Sequence, residues 1–274
     1  MTKRKVLIVC PHPDDGEAFA SQIGVQGIKA EWEVHQVIAT CDEYGTPINE
    51  FKGERIRRIR KHEMLTAQKR YGTDAEGNTL LKLHWMDYID GYVHHNKSAV
   101  LRLQKFIMKI HPDIIIGPDP FIYCDGHVDH MAVGKNYFFA LKHLNPQSRP
   151  KIMLFFQTLM PNFFLPKGYP NQISYIREAH KSQWSQRMLR IVDMFNVLTQ
   201  VSFQLKNLTI KSGKLQFVEG YRRVSFQTRN HIPRGMAKIF FYIFKDKPIG
   251  CEEGRLLPHP TTLGLDLVPS HDIF

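Results

Sequence analysis

The first half of the chain switches between two hydrophobic periods. Lys5–Cys10, 34–40 and 113–117, the last centred on Ile114-Ile115-Ile116, are apolar runs of strand length, and 80–85 is a weaker one. Between them the apolar residues recur at helical spacing. Over Glu54–Tyr71, Ile56, Ile59, Met64 and Ala67 fall near one face, while Arg55, Arg57, Arg58, Lys61 and Lys69 mostly point outward. Lys97–Ile110 repeats the pattern with Val100, Leu103, Ile107 and Ile110. This alternation predicts an α/β fold: a Rossmann-like, mainly parallel sheet flanked by helices, with its site where the carboxyl ends of the strands enter loops.

Past residue 151 the pattern changes. Ile152–Phe156 reads as another strand, 161–170 as an aromatic- and proline-rich loop, and 174–198 as a long helix. Residues 201–218 alternate like a hairpin with Lys211-Ser212-Gly213-Lys214 as its turn. The expected organisation is one domain over 1–224, closed by this C-terminal hairpin, and an extension over 225–274. Within the extension, Met236, Ile239, Phe240, Tyr242, Ile243 and Phe244 lie between Arg234, Lys238, Lys245 and Lys247. Such a segment either packs on the domain, the favoured reading, or dips into an anionic membrane surface.

Composition narrows the class. At 274 residues and 43% hydrophobic content the chain is long enough for a sizeable core and too apolar for global disorder. No run approaches the ~18 apolar residues of a membrane span. The basic start is followed only by Val6 to Cys10, which reads as a first strand rather than an export signal. Four cysteines without CxxC spacing argue against a zinc-finger or disulfide framework, and a cytoplasmic protein is expected. The excess of 37 Lys+Arg over 26 Asp+Glu, a net charge of +11, favours anionic partners without choosing among them. There is no P-loop, no Gly-x-Ser-x-Gly and no GxGxxG fingerprint, which leaves nucleotide-driven and serine-hydrolase readings unsupported.

Two segments carry chemistry. Pro11-His12-Pro13-Asp14-Asp15-Gly16-Glu17 follows the first strand directly, and Asp125-Gly126-His127-Val128-Asp129-His130 follows the fourth. Imidazole and carboxylate groups are typical zinc ligands, and a catalytic zinc site uses three of them with one open position. Singly, Asp14 and Asp15 also read as helix N-caps and His127 as a loop residue. Jointly, at two strand ends of one sheet, they read as a site. His94-His95 looks like a metal pair but reads as a helix start.

These residues resemble the PIG-L/LmbE-like de-N-acetylases, zinc enzymes acting on N-acetylglucosamine-containing substrates. The family's His-Pro-Asp-Asp-x-Glu is present as His12 to Glu17, and its His-x-Asp-His as His127 to His130, preceded by Pro118-Asp119-Pro120. Arg60 and Glu63 resemble its Arg-x-x-Glu, and Asp87 stands where members carry a substrate-facing aspartate. His180-Lys181-Ser182-Gln183 resembles its His-x-Ser-Gln, and Glu219-Gly220-Tyr221-Arg222 its Glu-x-Phe-Arg. A tyrosine that some members place before the second motif is Asp125 here, with Tyr123 nearby, and the usual Gly-Gly-Thr is replaced by Ser21-Gln22-Ile23-Gly24.

The resemblance implies one zinc ion held by His12, Asp15 and His130, with Fe2+ or Co2+ as substitutes. It implies Asp14 as general base, a protonated His127 as oxyanion stabiliser and Asp129 as orienter of a histidine. Arg60, Asp87 and His180 become substrate contacts. The expected substrate is an amino-sugar conjugate, with lipid-linked or phosphorylated forms open. No specific nucleic acid and no transmembrane segment are expected, while peripheral membrane contact and a homo-oligomer stay open. The rival readings are a metal-dependent phosphoester hydrolase, disfavoured by a single metal site, and a non-catalytic sugar- or nucleic-acid-binding protein, for which an intact Asp14 and His127 would be superfluous.

Overall fold

The structure, a computed structural model, describes residues 3–121, 127–183, 197, 199, 201, 203, 218–226 and 259–265. The buried apolar runs form strands β1 (Lys5–Cys10), β2 (Glu33–Thr40), β3 (Leu81–Tyr88), β4 (Ile114–Pro118) and β5 (Ile152–Phe156). They pair in parallel in the order β3-β2-β1-β4-β5. Strand β7 (Val218–Val224) adds antiparallel to β5, and β6 (Phe163–Pro166) adds antiparallel to β7, completing a seven-stranded sheet. The fold is thus the expected mixed α/β sheet. Its order reverses between β1 and β4, and this switch point opens a crevice at their carboxyl ends.

Alternation along each strand sends side chains to two cores. Val6, Ile8 and Cys10 meet α1 (Asp15–Phe19), α2 (Ser21–Lys29), α3 (Glu54–Tyr71) and α6 (Pro170–Arg177) through Phe19, Ile23, Met64 and Ile173. Leu7 and Val9 face α4 (Lys97–Ile110) and α5 (Val128–His143) through Leu103, Ile107 and Leu141. Each such side chain contributes about 1.5–3 kcal/mol on burial, so packing rather than helix propensity holds the layers. Tyr137 pins α5 beneath the sheet: its hydroxyl donates to the carbonyls of Ile115 (3.1 Å) and Leu154 (3.0 Å). Gly134 lets the helix come close, because a Cβ there would lie 3.0 Å from the Pro118 carbonyl oxygen. Both contacts seat the middle of α5 against β4 and β5, which sets where its first turn begins.

The second half departs from expectation. Of the helix expected over 174–198, residues 184–196 and 198 lie outside the described residues; α6 begins at Pro170, where proline's fixed φ suits the first helical position, and ends at Arg177, with 178–183 non-helical. The loop expected over 161–170 contains β6, recruited by β7. No hairpin begins at Val201. Val197, Thr199, Val201 and Phe203 are helical, with Val197 and Val201 exposed and Thr199 buried. Thr199 and Phe203, four apart, share a face, and Phe203 packs on Phe164 with ring centroids 5.3 Å apart. The expected turn at 211–214 and the apolar run at 239–244 lie outside the described residues. So do Tyr123, Cys124, Asp125 and Cys251. From the extension, a short 3-10 turn (Pro260–Leu263) and buried Leu265 pack on Tyr44, Ile89 and Tyr92.

Candidate metal centre

The chain leaves β1 at Cys10 and re-enters helix at Asp15. Asp14 occupies the N-cap position but makes no side-chain cap bond, which leaves its carboxylate for other work. Across the crevice, His127 caps α5 through Nδ1, which accepts the Asp129 backbone N–H at 3.3 Å. The two segments bring three ligand atoms together. His12 Nδ1 lies 3.2 Å from His130 Nε2, and Asp15 Oδ2 lies 3.4 Å from each of them. A tetrahedral zinc site with ligands at about 2.0–2.2 Å has its donor atoms about 3.3–3.6 Å apart. The triangle matches that spacing.

The opposite nitrogens explain why these lone pairs converge. His12 Nε2 faces Asp90 Oδ1 at 3.2 Å and Asp129 Oδ2 at 3.3 Å, and His130 Nδ1 lies 2.7 Å from Gln157 Oε1. In the neutral form each ring therefore donates its N–H away from the triangle and turns a lone pair into it, the arrangement that outer hydrogen bonds impose on metal-ligating histidines. Burial works against a charge on His12, yet hydrogen bonds to Asp129, Asp15 and Asp90 outweigh it and lift its pKa well above the usual value. Asp15 moves the other way. Burial would raise it, but His130 and His12 hold it at about 2. The cluster attracts positive charge, and its donor set fits a divalent cation. Ligand atoms of His12, His127 and His130, and of His12, Asp90, His127 and Asp129, also lie close enough to hold an ion. Asp129 is committed elsewhere, accepting the Gly91 N–H at 2.6 Å and the Val93 N–H at 3.4 Å, which favours the His12–Asp15–His130 face.

Asp14 sits beside this face in a different environment. The Arg60 guanidinium, 1% exposed, donates from Nη2 to Asp14 Oδ1 (2.9 Å) and lies 2.7 Å from Asp42 Oδ2. Burial raises the Asp14 pKa, Arg60 opposes the rise and Asp15 adds to it, and the net direction is upward. Arg60 is thus neither solvated nor open to the crevice, and it acts through Asp14. His127 remains reachable, with its side chain 41% exposed. Partial desolvation and the neighbouring His12 push its pKa down. Because Nδ1 accepts a hydrogen bond, this geometry holds the neutral Nε2–H tautomer, not the expected imidazolium.

The remaining motif residues find one another across the chain. Glu63 accepts both the N–H (2.8 Å) and the hydroxyl (2.6 Å) of Ser182. Arg222 grips Asp119 with two bonds of 2.6 Å, and Glu219 accepts from the Ser21 hydroxyl and the Gln22 N–H at the start of α2. His180 is fully buried, its Nε2 3.6 Å from Glu17 Oε2, so any influence on the crevice runs through buried neighbours. Asp87 is not in the cluster. It lies on the rim in a left-handed conformation, 3.5 Å from Lys61 and 3.8 Å from Arg57. His94 and His95 precede a helix that Asn96 caps at Lys97; His95 meets Asn136 rather than a metal-ligating group. Sequence reasoning missed Asp42, Glu43, Asp90 and Gln157. All four follow the carboxyl end of a strand, and that position was the available signal.

Comparison with known proteins supplies a family and related folds. A family model described as PIG-L, GlcNAc-PI de-N-acetylase, matches residues 7–140. The diacetylchitobiose deacetylase of Thermococcus kodakarensis is 25% identical over 244 residues, 81% of this chain and 83% of that protein. The fold matches the N,N'-diacetylchitobiose deacetylase from Pyrococcus horikoshii with a TM-score of 0.65 at 21% identity, covering 81% of this chain and 84% of that one. It also matches GalB, the 4-carboxy-2-hydroxymuconate hydratase of Pseudomonas putida KT2440, with a TM-score of 0.62 at 16% identity over 81% and 96%. The same architecture therefore serves a hydratase as well as deacetylases, which are amide hydrolases. Function has to be argued from the site.

Proposed function

We propose that this chain, whose residues 7–140 form a PIG-L family domain, is a zinc-dependent hydrolase that removes the N-acetyl group from an N-acetylglucosamine-type substrate. The observation that carries the reading is the triangle of His12 Nδ1, Asp15 Oδ2 and His130 Nε2, with both imidazoles donating outward. These three residues would hold the metal. Bound there, the ion would polarise the amide carbonyl and lower the pKa of water from about 15.7 towards about 7.

The chain's own groups then divide the proton and charge work. Asp14 takes a proton from the attacking water, and its raised pKa makes the resulting acid long-lived enough to pass that proton to the departing amine. Arg60 holds Asp14 in place from behind. His127 donates from Nε2–H to the carbonyl oxygen as negative charge grows on it, a role open to a neutral imidazole. Asp129 and Asp90 fix the His12 ring. Asp87, partly exposed beside Lys61 and Arg57, would supply a contact to a substrate hydroxyl. Residues 1–224 would form the catalytic unit, with 225–274 an extension of which 259–265 braces the loops around Tyr44 and Ile89.

The test is acetate release from diacetylchitobiose and a panel of N-acetylglucosamine conjugates, using metal-reconstituted protein beside Asp14→Asn. Wild type should release acetate, and the variant should keep its metal while losing the activity. Wild type with one bound metal and no acetate from any conjugate would sink the reading.

A further inference from the structure

A second site lies on the outer side of α3, away from the metal triangle. Arg58, His62, Thr66 and Arg70 recur every fourth residue and form one ridge of the helix. That ridge lines a groove whose opposite wall, after α6, contributes Lys181. Among the described residues lining the groove, Glu63 is the one acid. Its two oxygens accept the Ser182 N–H and hydroxyl at 2.8 and 2.6 Å, and Oε2 lies 3.9 Å from the buried Arg60 guanidinium, so its one negative charge is shared with that arginine and outnumbered by the groove's cations. Arg58 is 78% exposed and, among the described residues, pairs with the half-exposed Glu54 at 3.1 Å, a weak surface contact. Arg70 is held in position by Tyr175, whose carbonyl accepts from Nη1 at 2.5 Å and whose ring lies 4.3 Å from the guanidinium carbon.

The rest of the helix sharpens the picture. Over Glu54–Tyr71 seven arginines and lysines stand against two glutamates, and the one fully buried cation, Arg60, is neutralised internally by Asp14 and Asp42. Among the described residues, the cations of the groove have no such buried acidic partner. A concave surface that gathers two guanidiniums, an ammonium and an imidazole around a single carboxylate keeps a net positive charge, which an entering anion offsets.

We infer that the α3 groove formed by Arg58, His62, Arg70 and Lys181 is a binding site for a phosphate- or sulfate-class anionic group. Arginine supplies planar paired donors for the oxygens, and Lys181 adds a point charge from the facing wall. The ligand is either a free or sugar-borne phosphate in solution, or the headgroup of an anionic lipid. This site does not depend on the deacetylase reading.

The experiment follows the thermal midpoint of the full chain at fixed ionic strength as chloride is replaced by sulfate or phosphate, alongside co-sedimentation with phosphatidylserine vesicles and with phosphatidylcholine vesicles. Stabilisation by the dianions identifies a soluble ligand, and sedimentation with phosphatidylserine alone identifies a headgroup. In either arm the double variant Arg58→Gln with Lys181→Gln should raise the half-saturating concentration roughly tenfold. Arg55→Gln, on the same helix but stacked on Phe51, should bind like wild type, and so should His130→Ala. The proposal is overturned if the double variant responds like wild type, or if His130→Ala abolishes the response, which would move the anion to the metal triangle. It is equally overturned if neither dianion nor phosphatidylserine gives a response beyond chloride and phosphatidylcholine.

Discussion

Two histidine pairs on this sheet look alike by distance and differ in chemistry. His12 and His130 approach to 3.2 Å at the carboxyl ends of β1 and β4, and His35 and His84 to 2.9 Å between β2 and β3. In the second pair the accounting closes. His35 Nε2 donates to Glu33 (2.8 Å), its Nδ1 accepts from His84 Nε2, and Lys82 shares the same Glu33 oxygen. One donor meets one acceptor at each step, and no two ring lone pairs converge on a point between the rings. In the first pair both rings donate outward, so two lone pairs and a carboxylate oxygen face one point. The lesson is that tautomers, set by the far side of each ring, separate a metal site from a structural pair.

That contrast can be broken most severely at the ligands. His130→Ala should abolish stoichiometric metal binding, seen by elemental analysis of dialysed protein, whereas His35→Ala should leave metal content at one per chain. Equal loss from both would erase the distinction. Next in size is Asp14→Asn, expected to reduce kcat by about 10²–10⁴-fold with metal retained; no carboxylate with this role stands beside the second pair. Gln157→Leu removes the acceptor that aims His130, and metal affinity should fall by about 10–100-fold in a competition titration. The parallel change Glu33→Gln should leave that affinity untouched.

The smallest effect is a pH dependence. Burial, with His35 and nearby lysines assisting, pushes His84 down from 6.5 to about 4. A base whose pKa is depressed on folding binds its proton more readily when unfolded. Its contribution to stability is whole above pH 6.5 and is lost as the pH falls from 6.5 towards 4. His84→Gln keeps a donor for His35 without titrating, so its urea midpoint should change less than that of wild type between pH 7 and 5. An unchanged slope would place the acid sensitivity elsewhere.

Much of this was legible in the chain. Lys5–Cys10, Ile152–Phe156, Glu54–Tyr71 and Lys97–Ile110 form with the boundaries their periods predict, because burial on one or both faces leaves a regular apolar signal. Residues His12 to Glu17 and His127 to His130 meet because both motifs follow strands that pair directly. The burial of Arg60, expected as a substrate contact, has a signal in the helical period. It stands four residues from both Ile56 and Met64, inside the buried stripe, where an arginine signals an ion pair rather than a solvated face. Strand β6 was hidden because its half-buried aromatic residues gain strand geometry only from β7, more than fifty residues later in the chain. Asp90 and Gln157 belong to no motif, and only the topology places them.

The insertion of β7 between β5 and β6 also sets an order of assembly. Among the described residues, 163–166 have no partner in the sheet until 218–224 arrive, and Asp119 waits longer still, across 103 residues, for Arg222. During synthesis, therefore, the parallel half of the sheet is complete while β5 still presents an open edge carrying Phe155 and Phe156. Open strand edges recruit foreign strands, and a closure this distant in sequence is slow. A nascent chain or fragment that stops short of residue 218 is accordingly the aggregation-prone form of this protein.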